Sequence, residues 1–206
     1  MARSKKSPDS EPTDAIPIVA KTRVRDRIMR SATELFYQRG IRAVGVDTIA
    51  NEAGTNKMSF YRSFASKDDL VAEYLREEER DAWSCWDEAA EAHAGDPRGQ
   101  VEALFDMLVT SACKDDSRGC PLANAAVEIT EESHPARPVI AKYKSELRRR
   151  FRELASEMRA RDAAALGDSL MLLWEGSYLS RLTLGQDGPV QGAANAARAL
   201  IAAYTT

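Results

Sequence analysis

Val46-Asp47-Thr48-Ile49-Ala50-Asn51-Glu52-Ala53-Gly54-Thr55-Asn56-Lys57-Met58-Ser59-Phe60-Tyr61-Arg62-Ser63-Phe64 decides the fold. Val46, Ile49, Ala50 and Ala53 recur at helical spacing, which predicts a short helix over Val46–Ala53 stopped by Gly54. Gly54 meets the turn's need for positive φ, and Asn56 is a good N-cap for a second short helix over Lys57–Phe64. The small Ala50 permits the two helices to approach closely. Helix, tight turn, helix is the arrangement in which a second helix enters the major groove of DNA. Taken alone, the pattern also suits short paired helices of many all-α proteins.

Working outward, Val24, Ile28, Ala32, Leu35 and Phe36 lie on one helical face, and Gly40 ends that helix. After the pair, Ser66-Lys67-Asp68-Asp69 is a capping box. It opens a long helix carrying Leu70, Tyr74, Ala82, Trp86, Ala89 and His93 to the break at Gly95-Asp96-Pro97. Further helices are predicted near Arg98–Cys113, Pro121–Glu131, Pro138–Arg159, Ala163–Leu184 and Val190–Ala203. No β-alternation of useful length and no repeat appears. The class is all-α, about nine helices, in an N-terminal helix-turn-helix domain and a C-terminal helical domain. The expected boundaries are a disordered basic arm at 1–20, a DNA-binding domain at 21–67 and an effector and dimerisation domain at 68–206.

The 206 residues, 44% hydrophobic and 30% charged, suit a globular chain with a core of its own. The most apolar stretch, Ala163–Leu184, carries Asp168, Glu175 and Arg181, which excludes a membrane span there. Basic residues near the N-terminus are followed by no apolar block, unlike a secretory signal. Three cysteines without a CxxC spacing argue against a disulfide framework or zinc site and fit a reducing cytoplasm. His93 and His134 lack metal-ligand spacing, so no metal or other cofactor is expected. The net charge of −3 divides unevenly: residues 1–67 carry thirteen Lys/Arg against seven Asp/Glu, or +6, and the remainder carries −9. A basic head on an acidic body fits local phosphate neutralisation, and fits equally a basic tail on an acidic protein.

The flanks raise the specificity. Arg27-Ile28-Met29-Arg30-Ser31-Ala32-Thr33-Glu34-Leu35-Phe36-Tyr37-Gln38-Arg39-Gly40, then Val46–Gly54, resemble the first two helices of the tetracycline-repressor (TetR) family of bacterial transcription regulators. Lys57–Phe64 followed by Ser66-Lys67-Asp68-Asp69-Leu70 is similar to that family's recognition helix and its Ser-Lys-x-x-Leu signature. The resemblance is strong over about residues 22–75 and weaker beyond, where Arg118–Ala126 is similar to a segment of many members. Gly45 stands where the family usually has a Thr or Ser cap, and Ser63 where His is usual.

The resemblance implies a homodimeric regulator, most simply a ligand-released repressor on a near-palindromic operator, with no catalytic residues. Lys67 and Tyr61 become candidates for phosphate contact. Thr48, Thr55, Asn56, Lys57, Ser59 and Arg62 become candidates for backbone or base contact. Lys21, Arg23 and Arg25 read as flanking backbone contacts or a solvated tail, and Phe60 and Phe64 as core. Trp83, Trp86, Phe105, Leu108, Leu122, Trp174 and Tyr178 are expected around an effector pocket, with plain core packing as the alternative for each. Leu170, Leu173, Ser177, Ala197, Leu200, Ile201 and Tyr204 are expected at a four-helix dimer interface, with internal packing as the alternative. Cys120 reads as a buried thiol or a redox sensor. The competing functions are a helical small-molecule enzyme, for which no acid–base constellation is visible, and a partner-binding module.

Overall fold

Local capping and one glycine shape the N-terminal helices. In the computed structural model, which describes residues 23–114 and 116–205, α1 spans Val24–Arg39, α2 Val46–Glu52 and α3 Lys57–Ser63. Gly54 holds φ +61°, and its N–H and that of Thr55 return to Asn51 O (3.0 Å) and Ala50 O (2.9 Å), closing the turn. A side chain there would favour other backbone angles. The Asn56 side chain accepts from Ser59 N at 2.9 Å and starts α3, whereas Gly45 starts α2 without a side-chain cap. Phe60 and Phe64 are buried with Ile28, Ala32, Leu35, Phe36 and Ile49, as expected. The Arg27 guanidinium donates to Ala53 O at 3.0 Å, fastening the α2–α3 turn to α1.

The body is α4 (Lys67–Ala92), α5 (Pro97–Ala112), α6 (Pro121–Glu128), α7 (Arg137–Glu157), α8 (Ala163–Leu184) and α9 (Ala193–Thr205). That makes nine α-helices and no strand among the described residues. Ser66 caps α4 by accepting from Asp69 N at 3.0 Å, the predicted box. Two ends differ from the sequence reading. The helix expected to reach Glu131 ends at Glu128, because Ile129 turns extended to bury its side chain and the Glu128 carboxylate accepts from Arg42 N at 2.9 Å. Pro189–Gly192 forms a 3-10 turn ahead of α9, which holds Val190 in the core. The arm at 1–20 and Lys21 lie outside the described residues. No helix of the described residues is long and apolar enough to cross a membrane.

α7 and α8 pack so closely that a Cβ on Gly167 would sit 2.6 Å from Arg152 Cα. Arg148 and Arg152 both grip Asp168 across this seam, at 2.5–2.8 Å. This packing takes up several of the residues expected at a dimer face. Leu170, Ser177, Ala197 and Ile201 point into the chain's own core and are buried, and Leu173, Leu200 and Tyr204 are half-buried against it. The outward face of α8 instead carries Leu172, 73% exposed, and Leu179, 63% exposed, with Gly176 between them meeting nothing within 4 Å.

Candidate nucleic-acid interface and ligand cavity

With Phe60 as its anchor, α3 has one buried side and one open side. The open side presents Asn56, Lys57, Met58, Tyr61 and Arg62, with Ser59 half-exposed. Tyr61 keeps its ring edge against Phe60, centroids 5.3 Å apart, yet is 50% exposed, so its hydroxyl reaches solvent. Lys57 rests 3.4 Å from Asp47 of α2 on the surface, a weak pairing that a phosphate or a guanine edge can replace. Thr48 is exposed on α2 and Thr55 half-exposed in the turn. Met58, 68% exposed, was passed over in the sequence reading; its position on the open side of the capped helix was the available signal, since an apolar tip suits a thymine methyl.

Lys67 departs from its expected placement. Its ammonium donates to Ile41 O at 2.6 Å and lies 6.0 Å from the Phe36 ring, and burial lowers its pKa. The charge expected to face a phosphate is turned inward, tying α4 to the loop after α1.

Head and body meet through several polar links. Tyr37 Oη donates to Gly119 O at 3.3 Å and accepts from Arg118 N at 2.8 Å, while the Arg118 guanidinium donates to Gln38 O. Arg42 donates to Thr130 at 3.2 Å and to Glu131 at 2.9 Å. Nearby, His134 Nε2 stands 3.4 Å from Asp68 at the start of α4.

Beside these links two cavities adjoin. The larger, about 430 Å³, is walled by Glu34 and Tyr37 of α1, Glu78, Asp81 and Cys85 of α4, and Leu122, Tyr143 and Tyr178 of the body. The smaller, about 150 Å³, is lined by Trp83, Trp86, Leu108 and Trp174 and shares Cys85, Ser111, Tyr143 and Tyr178 with the first. Six of the seven expected pocket residues thus line one cavity or the other. Phe105 does not: it is fully buried behind the wall, 5.5 Å from Trp174 and 6.1 Å from Phe151. The α1 contribution was absent from the sequence reading. Cys120 is buried, and burial raises the pKa of its thiol, which suits an inert cysteine. A depression of about 470 Å³ between α1 and α4 has mixed charges, Arg25, Asp26, Arg30, Glu34 and Glu77, and no aromatic wall.

Two family models match the chain: that of bacterial regulatory proteins of the tetR family over residues 28–74, and that of the LmrA/YxaF-like transcriptional regulator C-terminal domain over residues 97–196. The HTH-type transcriptional repressor KstR2 of Rhodococcus jostii is 33% identical over 145 residues, 69% of this chain and 67% of its own. The HTH-type transcriptional regulator LmrA of Bacillus subtilis is 26% identical over 179 residues, 81% of this chain and 90% of its own. The crystal structure of a TetR-family transcriptional regulator from Streptomyces coelicolor matches with a TM-score of 0.84 at 25% identity, covering 89% of this chain and 96% of that one.

Proposed function

The chain belongs to the TetR family and is a DNA-binding transcriptional regulator; from that premise we propose a cytoplasmic homodimeric repressor that leaves a near-palindromic operator when a small molecule fills the body. The observation that carries the reading is the open side of α3, held by the Asn56 cap, the Phe60 anchor and the Arg27 clamp. Rigid presentation of this kind lowers the ordering cost of entering a groove. Asn56, Lys57, Met58, Ser59 and Arg62 are assigned to base edges or flanking backbone. Thr48, Thr55 and Tyr61 are assigned to phosphates. Lys67 stays in the set through the first-turn amides of α4, where a helix N-terminus favours an anion, rather than through its ammonium.

Two subunits would pair through the outward faces of α8 and α9, with Leu172 and Leu179 packing over the space left by Gly176. That places two copies of α3 on successive major-groove half-sites. The cavity wall contains α1, the helix on which α2 and α3 are seated, so a ligand there bears directly on head orientation. To move the DNA-competent population from 99:1 to 1:99, the ligand must favour the other state by about 5.5 kcal/mol, shared over both sites of the dimer.

The test is titration of the protein against its own upstream DNA at several salt concentrations. Arg62→Ala should weaken binding and lower the salt slope by about one unit if Arg62 meets a phosphate, and relax one base position if it meets a base. Lys67→Ala should weaken binding with the slope nearly unchanged, because its charge is already engaged by Ile41 O. Binding that is absent, or indifferent to sequence, would overturn the proposal.

A further inference from the structure

The larger cavity has an unbalanced charge. Glu34, Glu78 and Asp81 line it, while no lysine, arginine or histidine does so among the described residues. None of these three carboxylates has an ion pair or hydrogen bond among the described residues, unlike neighbouring Glu73 and Glu79, which are held by Arg25 and Lys142. The cations beside the aromatic rings of the two cavities are already matched. Lys144, 5.3 Å from the Tyr143 ring, is held by Glu175 at 2.6 and 2.7 Å. Arg150, 4.2 Å from Trp83, is held by Glu146 at 2.9 Å and Asp87 at 3.0 Å. Three tyrosines, Tyr37, Tyr143 and Tyr178, line the same cavity as the carboxylates. The Tyr37 hydroxyl is taken up by Arg118 N and Gly119 O, which leaves its ring rather than its oxygen as the recognition surface.

We propose that the ligand of this cavity is an amphiphilic organic cation, a compact apolar or aromatic body bearing one ammonium charge. The charge is seated among Glu34, Glu78 and Asp81 and the body against the tyrosines; this rests on the reading of the cavity as the effector site. Aromatic faces attract ammonium groups, and the half-buried Glu78 carboxylate attracts one more strongly than the exposed Glu34 and Asp81 do. Anionic ligands meet the negative field of Glu34 and Asp81, with no cation in the lining to offset it, and are rejected. The energetic state of the empty wall points the same way. Burial, with the negative fields of Asp81 and Glu77 adding to it, pushes the Glu78 carboxyl up to about 7, a penalty that a bound cation relieves.

The experiment uses the full chain and three probes built on one benzene ring: benzyltriethylammonium, uncharged N,N-diethylbenzamide, and benzenesulfonate. Trp83, Trp86 and Trp174, the protein's three tryptophans, all line the adjoining cavity and report occupancy by fluorescence without DNA. The cation should bind at least about tenfold more tightly than either other probe. Glu78→Gln with Asp81→Asn should cut cation affinity about tenfold and leave the amide within twofold. An amide or sulfonate that binds as well as the cation overturns the charge assignment and leaves the effector site standing, as does undiminished cation binding in the double variant. A cation that binds selectively but does not loosen the protein's upstream DNA overturns the effector reading instead. Silence from all three probes at 10 mM overturns both.

Discussion

Glu78 shows how one side chain couples pH to stability in this fold. Its carboxyl titrates near 7 in the folded chain, against 4.5 for an unperturbed glutamate, because burial and the charges of Asp81 and Glu77 disfavour ionisation. A raised carboxyl pKa means the folded state holds the proton more tightly than the unfolded one, so stability falls as pH rises from about 4.5 to about 7. Replacing Glu78 with Gln should therefore raise the melting temperature at pH 8 and change it little at pH 5; an equal effect at both values would remove the burial argument. Not every residue-scale feature was legible in the sequence. Lys67 looked like a phosphate contact from its place in the Ser-Lys-x-x-Leu signature, but the carbonyl that takes its ammonium, that of Ile41, lies 26 residues earlier. Nothing in the local pattern says which way a lysine at a helix start will turn.

Helices fared better, because their ends are decided locally. The Ser66 cap, the Asn56 cap and the Gly54 turn were all readable from spacing, since each depends on atoms within four residues. Replacing Ser66 with Ala should cost about 1 kcal/mol. For a chain of this size that is a drop of roughly 2–4 °C in thermal midpoint, measurable by circular dichroism. α6 was drawn three residues too long because its end is set from outside, by Arg42 N reaching Glu128 across 86 residues of chain. α8 shows the other limit. The apolar faces of Val46–Glu52 and Val24–Arg39 point inward except at their first residues, where Val24 is exposed and Val46 half-buried, but Ala163–Leu184 is apolar almost all round. Helical periodicity cannot choose between Leu170 and Leu172 on such a helix, and only packing against α7, tight at Gly167, puts Leu170 inside and Leu172 out.

On the scale of the whole molecule, the exposed leucines of α8 are the feature on which the proposed pairing rests. Substituting both Leu172 and Leu179 with Glu places two charges at the proposed contact. Sedimentation velocity should then find monomer at micromolar concentration, with operator affinity lost and far-UV circular dichroism unchanged. A dimer that persists would mean that other surfaces carry the pairing. The cavities were legible only in part: the aromatic residues of the body advertised themselves by size, but Glu34 and Tyr37 belong to a helix whose sequence signals concern the DNA-binding head. Their place at the cavity follows from α1 packing beside the 118–119 loop, some 80 residues away. That shared helix has a consequence for anyone adapting the protein as a biosensor. On the proposed reading of the cavity as the effector site, libraries that vary Cys85, Ser111 or Ser117 retune what is sensed while leaving the genomic address intact. Libraries that vary Glu34 or Tyr37 disturb input and output together, so sensitivity gained there arrives entangled with leakiness.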